Sequence, residues 1–162
     1  MKTRILFSAL LVATATLSAC ASNHLLVEQA AIAPMHAQSV KLEYEQGGAA
    51  VTQDAAAYLQ RKMEEAFFGP NQPFTRGNDL TVRYRFVGFD RGSRISRYLL
   101  GGLAGGEAEM VIEAEFVRPD GTVLAKVQSQ GRVNAGFFGG SSNSAIDGAV
   151  KEIRDYAIAN FH

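Results

Sequence analysis

Residues 107–132 read EAEMVIEAEFVRPDGTVLAKVQSQGR, and this stretch decides the fold. Ala108, Met110, Ile112, Ala114 and Phe116 alternate with Glu107, Glu109, Glu113 and Glu115, the period of two that a half-buried strand requires. Pro119-Asp120-Gly121 interrupts the pattern, and Asp-Gly between alternating runs signals a tight hairpin. Beyond it Val123, Ala125, Val127 and Ser129 face inward, while Lys126, Gln128, Gln130 and Arg132 face outward. A two-residue Asp120-Gly121 loop sets Glu115 opposite Lys126, Glu109 opposite Arg132 and Ile112 opposite Ser129. A slip of one residue would set Glu115 against Ala125 and mix the two faces, so pattern and charge select a single register.

The flanking segments extend the sheet and cover it. Val40, Leu42 and Tyr44 alternate with Lys41, Glu43 and Glu45 before Gly47-Gly48, and Leu80, Val82, Tyr84 and Phe86 alternate with Thr81, Arg83 and Arg85. Between these strands the period lengthens. Ala56, Leu59, Met63, Ala66 and Phe67 share one helical face, with Thr52 as N-cap and Gly69-Pro70 as the stop. A second amphipathic helix spans 144–161 with the stripe Ile146, Ala149, Val150, Ile153 and Ala157, and Ser144 with Asp147 has the spacing of a capping box. The expected fold is therefore a single α+β domain of order β-α-β-β-β-α. Its antiparallel-rich sheet carries both helices on one face and leaves the other solvated.

Composition sets the outer limits. The 162 residues fit one domain, and 16 basic against 16 acidic residues give a formal charge of zero, which carries no footprint for nucleic acid. One cysteine excludes an intrachain disulfide framework.

That cysteine has a specific context. Lys2 and Arg4 precede an apolar run from Ile5 to Val12, then small residues, in the order of a secretory signal. The run ends in Leu17-Ser18-Ala19-Cys20, which resembles the lipobox of bacterial lipoproteins. The resemblance implies that the Cys20 thiol is alkylated with diacylglycerol. Cleavage then follows between Ala19 and Cys20, and the new amine is acylated. Losing Lys2 and Arg4 moves the formal charge to −2. Several acyl chains on one residue anchor a protein durably, whereas one alone binds marginally. Ala21 after the cysteine, in place of an aspartate, resembles an outer-membrane sorting signal. The expected organisation is a signal peptide over 1–19, lipidated Cys20 with a flexible tether over 20–37, and a periplasmic domain over 38–162.

From Arg91 onward the sequence resembles a family of proteobacterial lipoproteins defined only as domain-of-unknown-function family 4410. The resemblance rests on Gly92-Ser93-Arg94, Arg97, the pairs Gly101-Gly102 and Gly105-Gly106, the alternating strand, the Asp120-Gly121 turn, Gly139-Gly140 and the closing helix. It implies an envelope lipoprotein and carries over no catalytic residue.

Gly101 and Gly106 have P-loop spacing, but Glu107 and Ala108 stand where lysine and serine or threonine must bind phosphate and magnesium, so nucleotide binding is excluded. His24, His36 and His162 show no metal-ligand spacing, and no Gly-x-Ser-x-Gly elbow is present. No metal, cofactor or catalytic residue is implied. The glutamates of 107–115 read as a solvated charge ladder beside Arg83, Arg85, Lys126 and Arg132; the competing glycosidase reading needs two carboxylates flanking a cleft.

The segment Arg91, Arg94, Arg97, Tyr98, Leu99, Leu100, Gly101, Gly102, Gly105, Gly106 has two readings: a partner- or membrane-facing loop, or a scaffold connection with its leucines buried. Phe137-Phe138 divides likewise between a core plug and an exposed finger. The functional expectation is a non-enzymatic lipoprotein of the outer membrane. Acyl chains on Cys20 hold it to the membrane, and it binds another envelope protein or its own copies through that loop or an open sheet edge. An enzyme acting on an envelope glycan is the alternative.

Overall fold

The computed structural model describes residues 22–32, 35–90, 108–133 and 142–162. Strands β1 (Ser22–Gln29), β2 (Ser39–Tyr44), β3 (Thr75–Arg76), β4 (Leu80–Asp90), β5 (Ala108–Val117) and β6 (Val123–Val133) form one sheet of order β1-β6-β5-β4-β2-β3. The pairs β1–β6, β6–β5 and β5–β4 are antiparallel, whereas β2 runs parallel to both β4 and β3. Helices α1 (Gln53–Phe68) and α2 (Ser142–Phe161) contact each other and the sheet. The α+β architecture and the β-α-β-β-β-α order stand as expected, with β1 added in front and the two-residue β3 inserted.

The hairpin has the expected register, reached by a different turn. Glu115 pairs with Lys126, Glu109 with Arg132 and Ile112 with Ser129. The loop, however, is the three residues Pro119-Asp120-Gly121. The Gly121 amide bonds the Arg118 carbonyl at 2.9 Å, and Gly121 has φ +88°, open to glycine at no steric cost. A register shift between Phe116 and Val117 then restores the pairing that a two-residue loop would have given. The shift also lets both Leu124 and Ala125 be buried.

The first helix follows its sequence signals. Thr52 Oγ1 accepts the Ala55 amide at 3.4 Å, the Gly69 amide closes on Glu65 O, and Leu59, Met63 and Phe67 are fully buried. The second begins two residues earlier than expected, so Ser144 lies inside the first turn rather than capping it. Asp147 instead accepts the Tyr58 hydroxyl at 3.0 and 3.1 Å, which joins α2 to α1.

The core lies between helices and sheet. Phe67 stacks on Phe74 at 5.8 Å, and Phe116 meets Tyr156 and Phe161 at 5.4 and 5.0 Å. Leu80, Val82, Phe86 and Ile112 are completely buried from the sheet side. Each such side chain stabilises the fold by about 1.5–3 kcal/mol on burial.

The expected tether over 20–37 is corrected from Ser22 onward. Residues 22–29 form an edge strand on β6, the Ile32 amide bonds Leu124 O at 3.1 Å, and the Ala37 amide bonds Phe161 O at 2.7 Å. Leu25, Ala31, Met35 and Ala37 pack on the core. Pairing with β6 satisfies the backbone groups on the inner side of β1, which a bare sequence period does not reveal.

Candidate functional site

The sheet face away from the helices carries a continuous ribbon of ion pairs. It starts at β1, where Glu28 lies 3.5 Å from Lys126 of β6. Lys126 also reaches Glu113 at 3.0 Å and Glu115 at 3.7 Å on β5. Arg85 of β4 pairs with Glu113, lies 4.0 Å from Glu115 and reaches Glu45 at 3.1 Å. Arg83 approaches Glu45 at 4.0 Å and Glu43 at 3.2 Å, and Lys41 on β2 closes the series on Glu43 at 2.7 Å. Strand pairing produces this order. The period of two sends every named side chain to one face, and the register sets acid beside base.

Glu113 is the centre of the ribbon and the exception to its exposure. It is 4% exposed and also accepts Gln128 Nε2 at 3.1 Å. Burial raises its pKa, but the Lys126 and Gln128 hydrogen bonds and the Arg85 and Lys126 charges outweigh burial and hold the carboxyl below its ordinary value. Lys126 is raised correspondingly, chiefly by its hydrogen bond to Glu113. Glu43 is lowered, first by Lys41. These groups are mutually neutralised: Glu113 is held as a carboxylate, the opposite of a general acid poised to protonate a glycosidic oxygen.

At one end of the sheet a single row of backbone partners crosses four strands: Ser22 with Arg132, Arg132 with Glu109, Glu109 with Asp90. Cys20 stands two residues before Ser22. The segment 91–107 leaves from Asp90 and returns at Ala108, and the segment 134–141 leaves from Val133. Cys20 and both glycine-rich segments therefore attach to the same end of the sheet. Leu17, Ser18, Ala19 and Cys20 lie outside the described residues, as do Arg91, Arg94, Arg97, Tyr98, Leu99, Leu100, Gly101, Gly102, Gly105 and Gly106, and Phe137-Phe138.

The histidines stand apart. His24 is exposed on β1, and the His36 ring meets the main-chain carbonyl of His162 at 3.1 Å. Among the described residues no set of three acidic, histidine or cysteine side chains is grouped to hold a metal, and no helix is long and apolar enough to cross a membrane.

An open sheet edge was expected, but not which strands form the two edges. On β1 and just beyond it, Leu26 and Val27 are each 48% exposed and Ile32 is 66% exposed. The alternation that would have marked this strand is broken by a bulge between Val27 and Gln29. At the far edge β3 covers only Ser39 and Val40 of β2, so among the described residues no strand lies on the outer side of 41–44.

An open six-stranded mixed sheet with two helices on one face and an ion-paired opposite face defines the class. The chain belongs to the family described as Domain of unknown function (DUF4410), whose model matches residues 23–137. The match begins inside β1. No curated protein matches the chain. Two solved structures have the same fold, both of the PelC dodecamer from Paraburkholderia phytofirmans. One, of a point variant in space group C2, is 10% identical with TM-score 0.55 over 83% of this chain and 96% of that one. The other, in space group P6, is 9% identical with TM-score 0.56 over 88% of this chain and 99% of that one.

Proposed function

We propose that this protein is a lipid-anchored component of the outer membrane that assembles with its own copies in the periplasm and catalyses no reaction. The observation that carries the reading is the fold, which is that of chains assembled as PelC dodecamers over most of both lengths. Two features of this chain support it. The lipobox Leu17-Ser18-Ala19-Cys20 supplies an anchor two residues from the first strand, so acyl chains would hold one end of the sheet within about 10 Å of the bilayer surface. The exposed Leu26, Val27 and Ile32 form an apolar edge of the kind that self-association covers. The carboxylates that could have served a glycan-cleaving reaction are tied into ion pairs with Arg85 and Lys126.

The arginines of 91–97 attach to the anchor end, where they would meet anionic headgroups. The reading is tested by Cys20→Ser, with metabolic labelling by a radioactive fatty acid and density fractionation of the envelope. The native chain takes up label and sediments with the outer membrane, and the variant does neither. Equal labelling of the two would contradict the anchor. A soluble glycan fragment released by the purified protein would contradict the non-enzymatic role.

A further inference from the structure

The geometry points to a head-to-tail contact between copies, in which the β1 edge of one chain pairs with residues 41–44 of β2 in the next and sets Glu28 against Lys41. This rests on the self-assembly proposed above and names the surfaces that perform it. The two edges lie at opposite ends of the strand order, so joining them is heterologous, the type of contact that closes into rings.

Three observations favour this pairing. The first is charge order. The ribbon on the outer face begins with an acid, Glu28, at the β1 edge and ends with a base, Lys41, at the β2 edge. Joining unlike edges continues the alternation from copy to copy. Joining like edges, whether β1 to β1 or β2 to β2, leaves Glu28 and Lys41 in different contacts and interrupts that alternation. The second is shape. Beside the β2 edge lies a groove of about 340 Å³ lined by Val40, Leu42, Phe68, Glu64, Arg76 and Gly77. The Arg76 guanidinium lies 4.5 Å from the Phe68 ring centroid and 2.7 Å from Glu64, so apolar surface is framed by a fixed ion pair. Val27 pairs with Val127 on the helix-side face of β1, the same face on which Leu42 stands at the other edge, so its exposed side chain meets this groove when the edges join. The third is backbone. Among the described residues no strand covers the outer side of β1 or of residues 41–44 in β2.

The test uses the full-length lipidated chain extracted in mild detergent and followed by native mass spectrometry across a dilution series. Glu28→Lys and Lys41→Glu are each expected to weaken self-association roughly tenfold, and the double variant to recover most of it. Circular dichroism melts check that all three remain folded. A cysteine pair gives a second measurement: with Glu28 opposite Lys41 in antiparallel register Leu26 faces Glu43, so oxidised L26C/E43C yields a ladder of dimers, trimers and larger species, while L26C alone yields none. A native chain that stays monomeric at every concentration overturns the self-assembly reading itself. An oligomer indifferent to both charge reversals, unrecovered by the double variant, or cross-linked as a dimer by L26C alone overturns this pairing and leaves self-assembly standing.

Discussion

Glu113 shows how one residue can sit on a solvated face and still be buried. Arg85, Lys126 and Gln128 enclose it, and each presents a donor. Removing the carboxylate leaves two cations crowded together and partly desolvated, so Glu113→Ala is expected to cost about 2–3 kcal/mol in urea unfolding. Lys41→Ala, at the exposed end of the ribbon, should change stability by less than about 0.5 kcal/mol. Acid sharpens the contrast. The folded-state pKa of Glu113 lies below the ordinary value of 4.5, so its contribution is complete above that pH and is lost as pH falls through the lowered folded value. Glu113→Gln lacks this dependence. The stability gap between native and variant chains should therefore be flat above about pH 4.5 and narrow below it. A gap that widens on acidification would contradict the assignment. The sequence places Glu113 on the outer face opposite Gln128, as found; its burial was not legible, because it depends on Arg85 reaching across from β4.

At the scale of elements, the hairpin and α1 were readable because each is specified locally. Alternation, turn residues and cross-strand charge agree for 107–132, and Thr52, the apolar stripe and Gly69 agree for α1. β1 was not readable because a partner far along the chain specifies it. Asn23, an unpromising residue for an inward position, donates to the Ala145 carbonyl of α2 at 2.9 Å. A Cβ on Gly148 would come within 2.4 Å of Asn23 Nδ2 and 2.6 Å of its Cγ. Among the described residues the Asn23 Oδ1 is buried without a hydrogen-bond partner. A close three-way contact of strand, helix and glycine thus replaces the apolar alternation that a sequence reading looks for. In a helix, alanine is ordinarily favoured over glycine by about 0.8–1 kcal/mol. Here Gly148→Ala is expected to destabilise by about 1 kcal/mol, because it displaces Asn23 from Ala145. In the Asn23→Ala background the same change should stabilise. A double-mutant cycle by chemical denaturation reads this reversal of sign, and additivity of the two changes would contradict the contact.

For the whole molecule, the sheet presents two ends and two edges. Cys20 and the segments 91–107 and 134–141 attach at one end of it, beside Ser22, Asp90, Ala108 and Val133. At its edges the ion-pair ribbon ends in Glu28 on β1 and in the Lys41–Glu43 pair on β2, and one edge bears exposed apolar side chains while the other borders a groove. The family was legible because its glycine pairs, turn and closing helix are written along the chain. The edges were not, because an edge is a property of strand order and not of any one strand. Native mass spectrometry of the full-length lipidated chain in mild detergent tests the central claim most directly. A closed oligomer of one stoichiometry, dissociating on dilution without loss of helical signal, is the predicted result. A monomer across the whole concentration range would contradict it.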